Sequence, residues 1–173
     1  GGRPHVEAIA ALAAAMQAGS VDTLLILGGN PVYDAPADVD WAGGLAKVPT
    51  SIHVGLYRHE TGRLCRWHVP QSHFLESWGD ARSFDGTYSV VQPTIAPLHG
   101  GRTWTEILAR VLGETLPKAD ELVKATFQAL VGDKFSEKLW RRTVHDGLLA
   151  DSAWPDEIVR DAARTDLPSE IQT

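Results

Sequence analysis

The amino-acid sequence predicts an α/β fold in which a parallel sheet is flanked by helices and followed by a C-terminal helical extension. Three observations carry that expectation. The apolar run Leu24-Leu25-Ile26-Leu27 halts at Gly28-Gly29-Asn30-Pro31, the pattern of a strand buried on both faces with a sharp turn at its end. A second strand at 51–57 follows after a helical stretch, so the order is helix, strand, loop, helix, strand, as in parallel sheets with crossover helices. Beyond Gly113 the periodicity becomes purely helical.

The elements follow in order. Val6, Ile9, Ala10, Ala13 and Met16 recur at helical spacing in an alanine-rich stretch that Gly19 closes. The strand at 24–27 comes next. Its loop pairs two glycines, which give the backbone freedom and permit close approach, with Asn30 and with Pro31, which cannot donate to a ladder. A helix is expected over 35–46, with Asp34 as N-cap and Pro36 in the first turn, and Pro49 beyond its end. After the strand at 51–57, residues 58–101 are rich in Gly, Pro, His and Trp and predict one strand, at 88–92. So long a stretch with little regular structure points to a functional or contact surface. A helix is expected over 103–112, capped by Thr103 with Glu106 completing a capping box. Two more helices are expected over 119–131 and 134–148, another over 154–163, and a frayed polar tail over 166–173. The division falls near Gly113, with an α/β domain over 1–113 and a helical extension over 114–173.

Composition narrows the function classes. The 173 residues are 43% hydrophobic, enough for a core, and carry 22 acidic against 16 basic side chains for a net charge of −6. That balance argues against a general nucleic-acid partner, since phosphate neutralisation needs a basic surface. The charge is uneven: no Lys or Arg occurs over 4–46, whereas Arg58, Arg63, Arg66, His59 and His68 stand against Glu60 alone. The single cysteine, Cys65, rules out an intrachain disulfide or an all-cysteine cluster within these residues. No apolar run approaches the roughly 18 residues of a membrane span. The opening Gly1-Gly2-Arg3-Pro4 has neither initiator methionine nor signal sequence, and reads as the start of a piece of a longer chain.

Several groups invite chemistry. The Gly28-Gly29-Asn30-Pro31 loop lacks the length of a Walker loop and the spacing of a dinucleotide fingerprint. It remains either a ligand-facing loop at the carboxyl end of a strand or a plain strand-to-helix turn, with Asp34 and Asp38 disfavouring a bare phosphate nearby. His53, His59, His68 and His73 cluster in sequence, but no helical pattern sets them on one face, so no metal site is assigned and hydrogen-bonded loop histidines are expected. Cys65 has Arg63, Arg66 and His68 nearby, yet no spacing supplies a base and an orienting group, and a small buried thiol is expected; no catalytic residue is assigned. The six tryptophans suit loop packing or an interface better than a nucleic-acid stacking platform.

A buried strand ending in Gly28-Gly29-Asn30-Pro31, a second strand ending at Arg58-His59-Glu60-Thr61, then Val69-Pro70, Glu76-Ser77-Trp78-Gly79-Asp80 and Pro93 to Pro97 together resemble the molybdopterin oxidoreductase superfamily. The stretch 5–113 looks like one of its Rossmann-like α/β domains. Glu60-Thr61, Pro70, Glu76 and Gly79 keep the family's pattern, whereas Arg66-Trp67 replaces its Ala-Asp pair. The wording Asn30-Pro31-Val32-Tyr33-Asp34 with Leu75-Glu76-Ser77-Trp78-Gly79-Asp80-Ala81-Arg82, and the helical end Lys138-Leu139-Trp140 through His145-Asp146-Gly147, is similar to the large iron–sulfur subunit of alternative complex III. That complex is a respiratory quinol oxidoreductase passing electrons to cytochrome c or a high-potential carrier.

The resemblance implies a scaffold domain of an oxidoreductase subunit, itself inactive in isolation, with iron–sulfur clusters elsewhere in the chain. It implies molybdopterin guanine dinucleotide as the family's cofactor, lost in this branch, and maps the cofactor-binding positions to Gly28, Gly29, Asn30, Pro31, Glu60 and Thr61. The implied partners are other domains of the same polypeptide and the membrane and cytochrome subunits of a respiratory complex, on the periplasmic side of a bacterial inner membrane. The loop-rich stretch 58–101 is the candidate contact surface. Two other readings stay open: the cofactor-binding domain of an active molybdenum or tungsten enzyme carrying a bis-molybdopterin guanine dinucleotide cofactor, and a free-standing α/β module for a small ligand.

Overall fold

A computed structural model describes residues 4–155. Helix α1 (His5–Gln17) ends where Gly19, at φ +70°, turns the chain and donates to the Met16 carbonyl at 3.0 Å. Strand β1 (Thr23–Leu27) follows, then α2 (Pro31–Asp34), α3 (Trp41–Lys47) and β2 (Thr50–Gly55). Of the helix expected over 35–46 only the part from Trp41 is helical, while a separate short helix precedes it, and Asp34 ends that helix instead of capping the expected one. Pro36 is the reason. Its ring disfavours the α region at the preceding residue, and Ala35 is extended at ψ 149°. Asp40 restarts the helix, its carboxylate accepting from the Gly43 N–H at 2.9 Å.

The stretch 58–101 contains more regular structure than its sequence suggests, namely α4 (Glu60–Leu64), β3 (Trp67–Pro70) and β4 (Gly79–Arg82), and the strand expected at 88–92 is present as β5 (Tyr88–Val91). Elements of four or five residues are too short to establish a periodicity. Helix α5 (Trp104–Val111) carries the expected capping box: Thr103 Oγ1 accepts from the Glu106 N–H at 3.1 Å and Glu106 Oε2 accepts from the Thr103 N–H at 2.8 Å. Helix α6 (Ala119–Val131) matches its expected span. Helix α7 (Glu137–Asp146) begins later than expected, because Lys134 closes a 3₁₀ turn and Ser136 supplies the cap. The polar tail, and all but the first two residues of the helix expected over 154–163, lie outside the described residues.

Strands β1, β2 and β3 form a parallel sheet with β2 central, while β4 and β5 pair antiparallel as a hairpin. Register sets which side chains share a face. Leu25, Ile52 and Trp67 form one row, and Ile26, His53 and His68 form the next row on the opposite face. Helices α1 and α3 pack on the Leu24 side through Ala13, Met16, Trp41 and Val48. Their close approach uses Gly44, where a Cβ would lie 3.3 Å from Met16 Cβ. The expected full burial of β1 is not realised: Leu24 to Leu27 are all only partly buried. Trp67, on the face away from α1, α3 and α4, is 65% exposed.

A second core joins the hairpin to α6 and α7. Tyr88, Val90, Val123 and Phe127 are buried there, with Trp78, Phe135 and Trp140 against them. No described helix is long and apolar enough to cross a membrane.

Candidate functional site

The six positions Gly28, Gly29, Asn30, Pro31, Glu60 and Thr61 come together at the carboxyl end of the sheet. Gly28 and Gly29 take φ of +71° and +69°, a conformation that L residues adopt at a cost. Gly28 donates to the Val54 carbonyl at 2.7 Å, tying the loop to β2. A Cβ at Gly28 would lie 2.9 Å from the indole of Trp104, so that ring covers the start of the turn.

Asn30 then clasps α4. Its Oδ1 accepts from the Thr61 N–H at 3.1 Å and from Thr61 Oγ1 at 2.7 Å, and its Nδ2 donates to Glu60 Oε2 at 2.7 Å. Thr61 Oγ1 accepts in turn from the Val32 N–H at 3.1 Å. Thr61 is wholly buried, so this network satisfies polar groups that would otherwise be costly to enclose. The Asn30 amide also holds the Glu60 carboxyl below the usual carboxylate range.

Behind the clasp lie three histidines. His53 is wholly buried and its Nδ1 is 2.9 Å from His68 Nδ1, while its Nε2 is 3.3 Å from the Gly29 carbonyl. The His59 ring centre is 4.9 Å from that of His53, and His59 Nδ1 is buried with no hydrogen-bond partner among the described residues. Gly62 of α4 makes room for the pair, since a Cβ there would sit 3.0 Å from His68 Nδ1 and 3.1 Å from His53 Nδ1. Burial pushes the His53 pKa down, with the Gly29 carbonyl opposing and His59 and His68 adding to the fall. Burial also lowers that of His68, helped by Arg58 and His59. The expectation of loop histidines gives way to a strand pair: parallel register puts His53 and His68 side by side.

The two rings share one hydrogen bond, in which one Nδ1 donates and the other accepts. No group of three or more His, Cys, Asp or Glu side chains among the described residues is arranged to hold a metal ion. Cys65 is buried, free, and pushed up by that burial, with a hydrogen bond to Ser51 opposing; a thiol held neutral is a poor nucleophile.

The residues do not fit an anionic dinucleotide well. Asn30 Oδ1 and Thr61 Oγ1 are committed to the clasp, Pro31 has no N–H, and Glu60 contributes a persistent negative charge that would face any pyrophosphate. Sequence reasoning named His53 and His68 in a histidine cluster without pairing them, and gave Trp104 no part here. The available signal was a second strand, helix, strand unit over 50–70, obscured because α4 and β3 are so short.

Neither the family models nor the curated proteins compared with this chain match it.

Proposed function

We propose that this chain is a Rossmann-like domain of a respiratory oxidoreductase subunit, of the kind found in the large iron–sulfur subunit of alternative complex III. In that role it is a cofactor-free scaffold, holding iron–sulfur domains of the same polypeptide and neighbouring membrane and cytochrome subunits at fixed distance on the periplasmic side. Electrons pass through carriers elsewhere, from quinol to cytochrome c or a high-potential acceptor.

The observation that supports this reading best is the Asn30 clasp. A loop of ligand-binding shape turns its own side chain inward, onto Glu60 and Thr61, which stiffens the crevice and leaves it ill suited to a pyrophosphate. Exposed Trp67, Phe74 and Phe84 in the stretch 58–101, with Tyr57 just before it, supply apolar contact area of the sort a neighbouring domain covers.

Metal and nucleotide analysis of the complete polypeptide tests the proposal. Iron without molybdenum or tungsten, and no guanine nucleotide released on denaturation, is the expected result. Molybdenum or tungsten with a released pterin dinucleotide would instead establish the active-enzyme reading. The chain alone is expected to turn over no quinol in a dye-reduction assay.

A further inference from the structure

His53 and His68 can be assigned their hydrogens from geometry. A carbonyl oxygen only accepts, so the 3.3 Å contact to Gly29 requires the hydrogen on His53 Nε2. A neutral His53 then has a bare Nδ1, and the 2.9 Å contact to His68 Nδ1 requires the hydrogen on His68 Nδ1. His68 Nε2 is left as a lone pair, on a ring that is only partly buried.

We propose that His68 and His53 form a one-proton relay, in which a proton taken up at His68 Nε2 is delivered as positive charge to His53 beside the Gly29 carbonyl. One N–H bond forms at His68 Nε2, and the bridging hydrogen passes from His68 Nδ1 to His53 Nδ1. The bridge survives with its donor and acceptor exchanged, and His53, now cationic, donates more strongly to Gly29. A second proton is excluded, because two N–H groups would then face each other across 2.9 Å.

The surroundings set the scale. Arg58 and His59 oppose the charge from the segment before α4. Arg63 lies on α4, and the Glu60 carboxylate there is turned away onto Asn30. Gly55 and Gly62 pack against the rings, a Cβ at either approaching His53 to 2.5 and 3.1 Å, so both positions must lack a side chain for the pair to keep its place. The relay thus links solvent acidity to the loop at the carboxyl end of the sheet, and it stands independently of the oxidoreductase reading.

Nitrogen NMR of the uniformly ¹⁵N-labelled protein from pH 8 to pH 5, read at the histidine rings and at the Asn30 backbone amide, tests it. At pH 8, His53 is expected protonated at Nε2 and His68 at Nδ1. On acidification both rings should shift with one shared midpoint below the ordinary histidine value, and the Asn30 amide should follow it. In His68→Phe, which can neither take up nor accept a proton, the Asn30 shift should vanish over this range. Opposite tautomers, two separate midpoints, or an Asn30 shift unchanged in His68→Phe would overturn the relay. The wild-type tautomers and midpoint decide alone if that variant does not fold.

Discussion

Phe127 and His53 are both 0% exposed, yet they are buried in opposite ways. Phe127 is surrounded by rings, with the centres of Trp140, Tyr88 and Phe135 at 5.1, 5.9 and 6.2 Å, and its environment offers area without direction. His53 is held by directed contacts to Gly29 and His68, within a crevice closed by Asn30 and Thr61. The helical region is stabilised by apolar burial that pH hardly touches. The sheet end depends on donors matching acceptors, and so on protonation.

The largest break in that contrast is Phe127→Ala. Loss of a fully enclosed ring is expected to cost about 3–5 kcal/mol in urea denaturation, equally at pH 8 and pH 5.5. Asn30→Ala should cost about 2 kcal/mol, because it strands the buried Thr61 hydroxyl and N–H. Asn30→Asp sharpens the comparison further. It sets a carboxylate against Glu60 where Nδ2 lay at 2.7 Å, so its penalty should shrink as pH falls through the carboxylate range, a trend absent in Phe127→Ala. Gly28→Ala is expected to cost about 1–2 kcal/mol, since its φ of +71° is retained against the Cβ, and thermal unfolding would register it.

Acid alone should discriminate between the regions more gently. The folded-state pKa values of His53 and His68 lie below the ordinary value, so the unfolded chain binds protons first. The stability they confer is complete above the ordinary histidine value of about 6.5 and is lost as pH falls below it toward the lowered values. Urea midpoints measured between pH 8 and pH 5 should fall accordingly, with the change focused on amide exchange at α4 and the loop, not at α6. The smallest effect belongs to Glu137→Gln. Its 2.7 Å pair with Lys124 is partly exposed at both ends and is expected to contribute about 0.5 kcal/mol or less.

Much of this was legible along the chain. The Leu24 to Leu27 run, the glycine turn, the Thr103 and Glu106 box and the span of α6 all follow from local chemistry acting over a few residues. Pro36 was a readable break whose consequence at Ala35 outweighed the apolar pattern of 35–46. Apart from β5, the stretch 58–101 was not legible, because β3 and β4 gain their hydrogen bonds from partners elsewhere and four residues cannot announce a period. The six candidate positions were grouped by resemblance, and their convergence places Asn30 against Glu60 and Thr61 across a separation of 30 and 31 residues.

By itself, then, the sequence determined the alternation of helix and strand, the sharp turn at Gly28 and Gly29, and the helical character beyond Gly113, because propensity, capping and backbone freedom are properties of neighbours. Only the tertiary structure decided that Asn30 spends its amide on the protein, that Trp104 covers Gly28, and that His53 meets His68. These depend on the parallel register of β2 with β3 and on α4 lying over one sheet face, geometry that brings together residues no local rule connects.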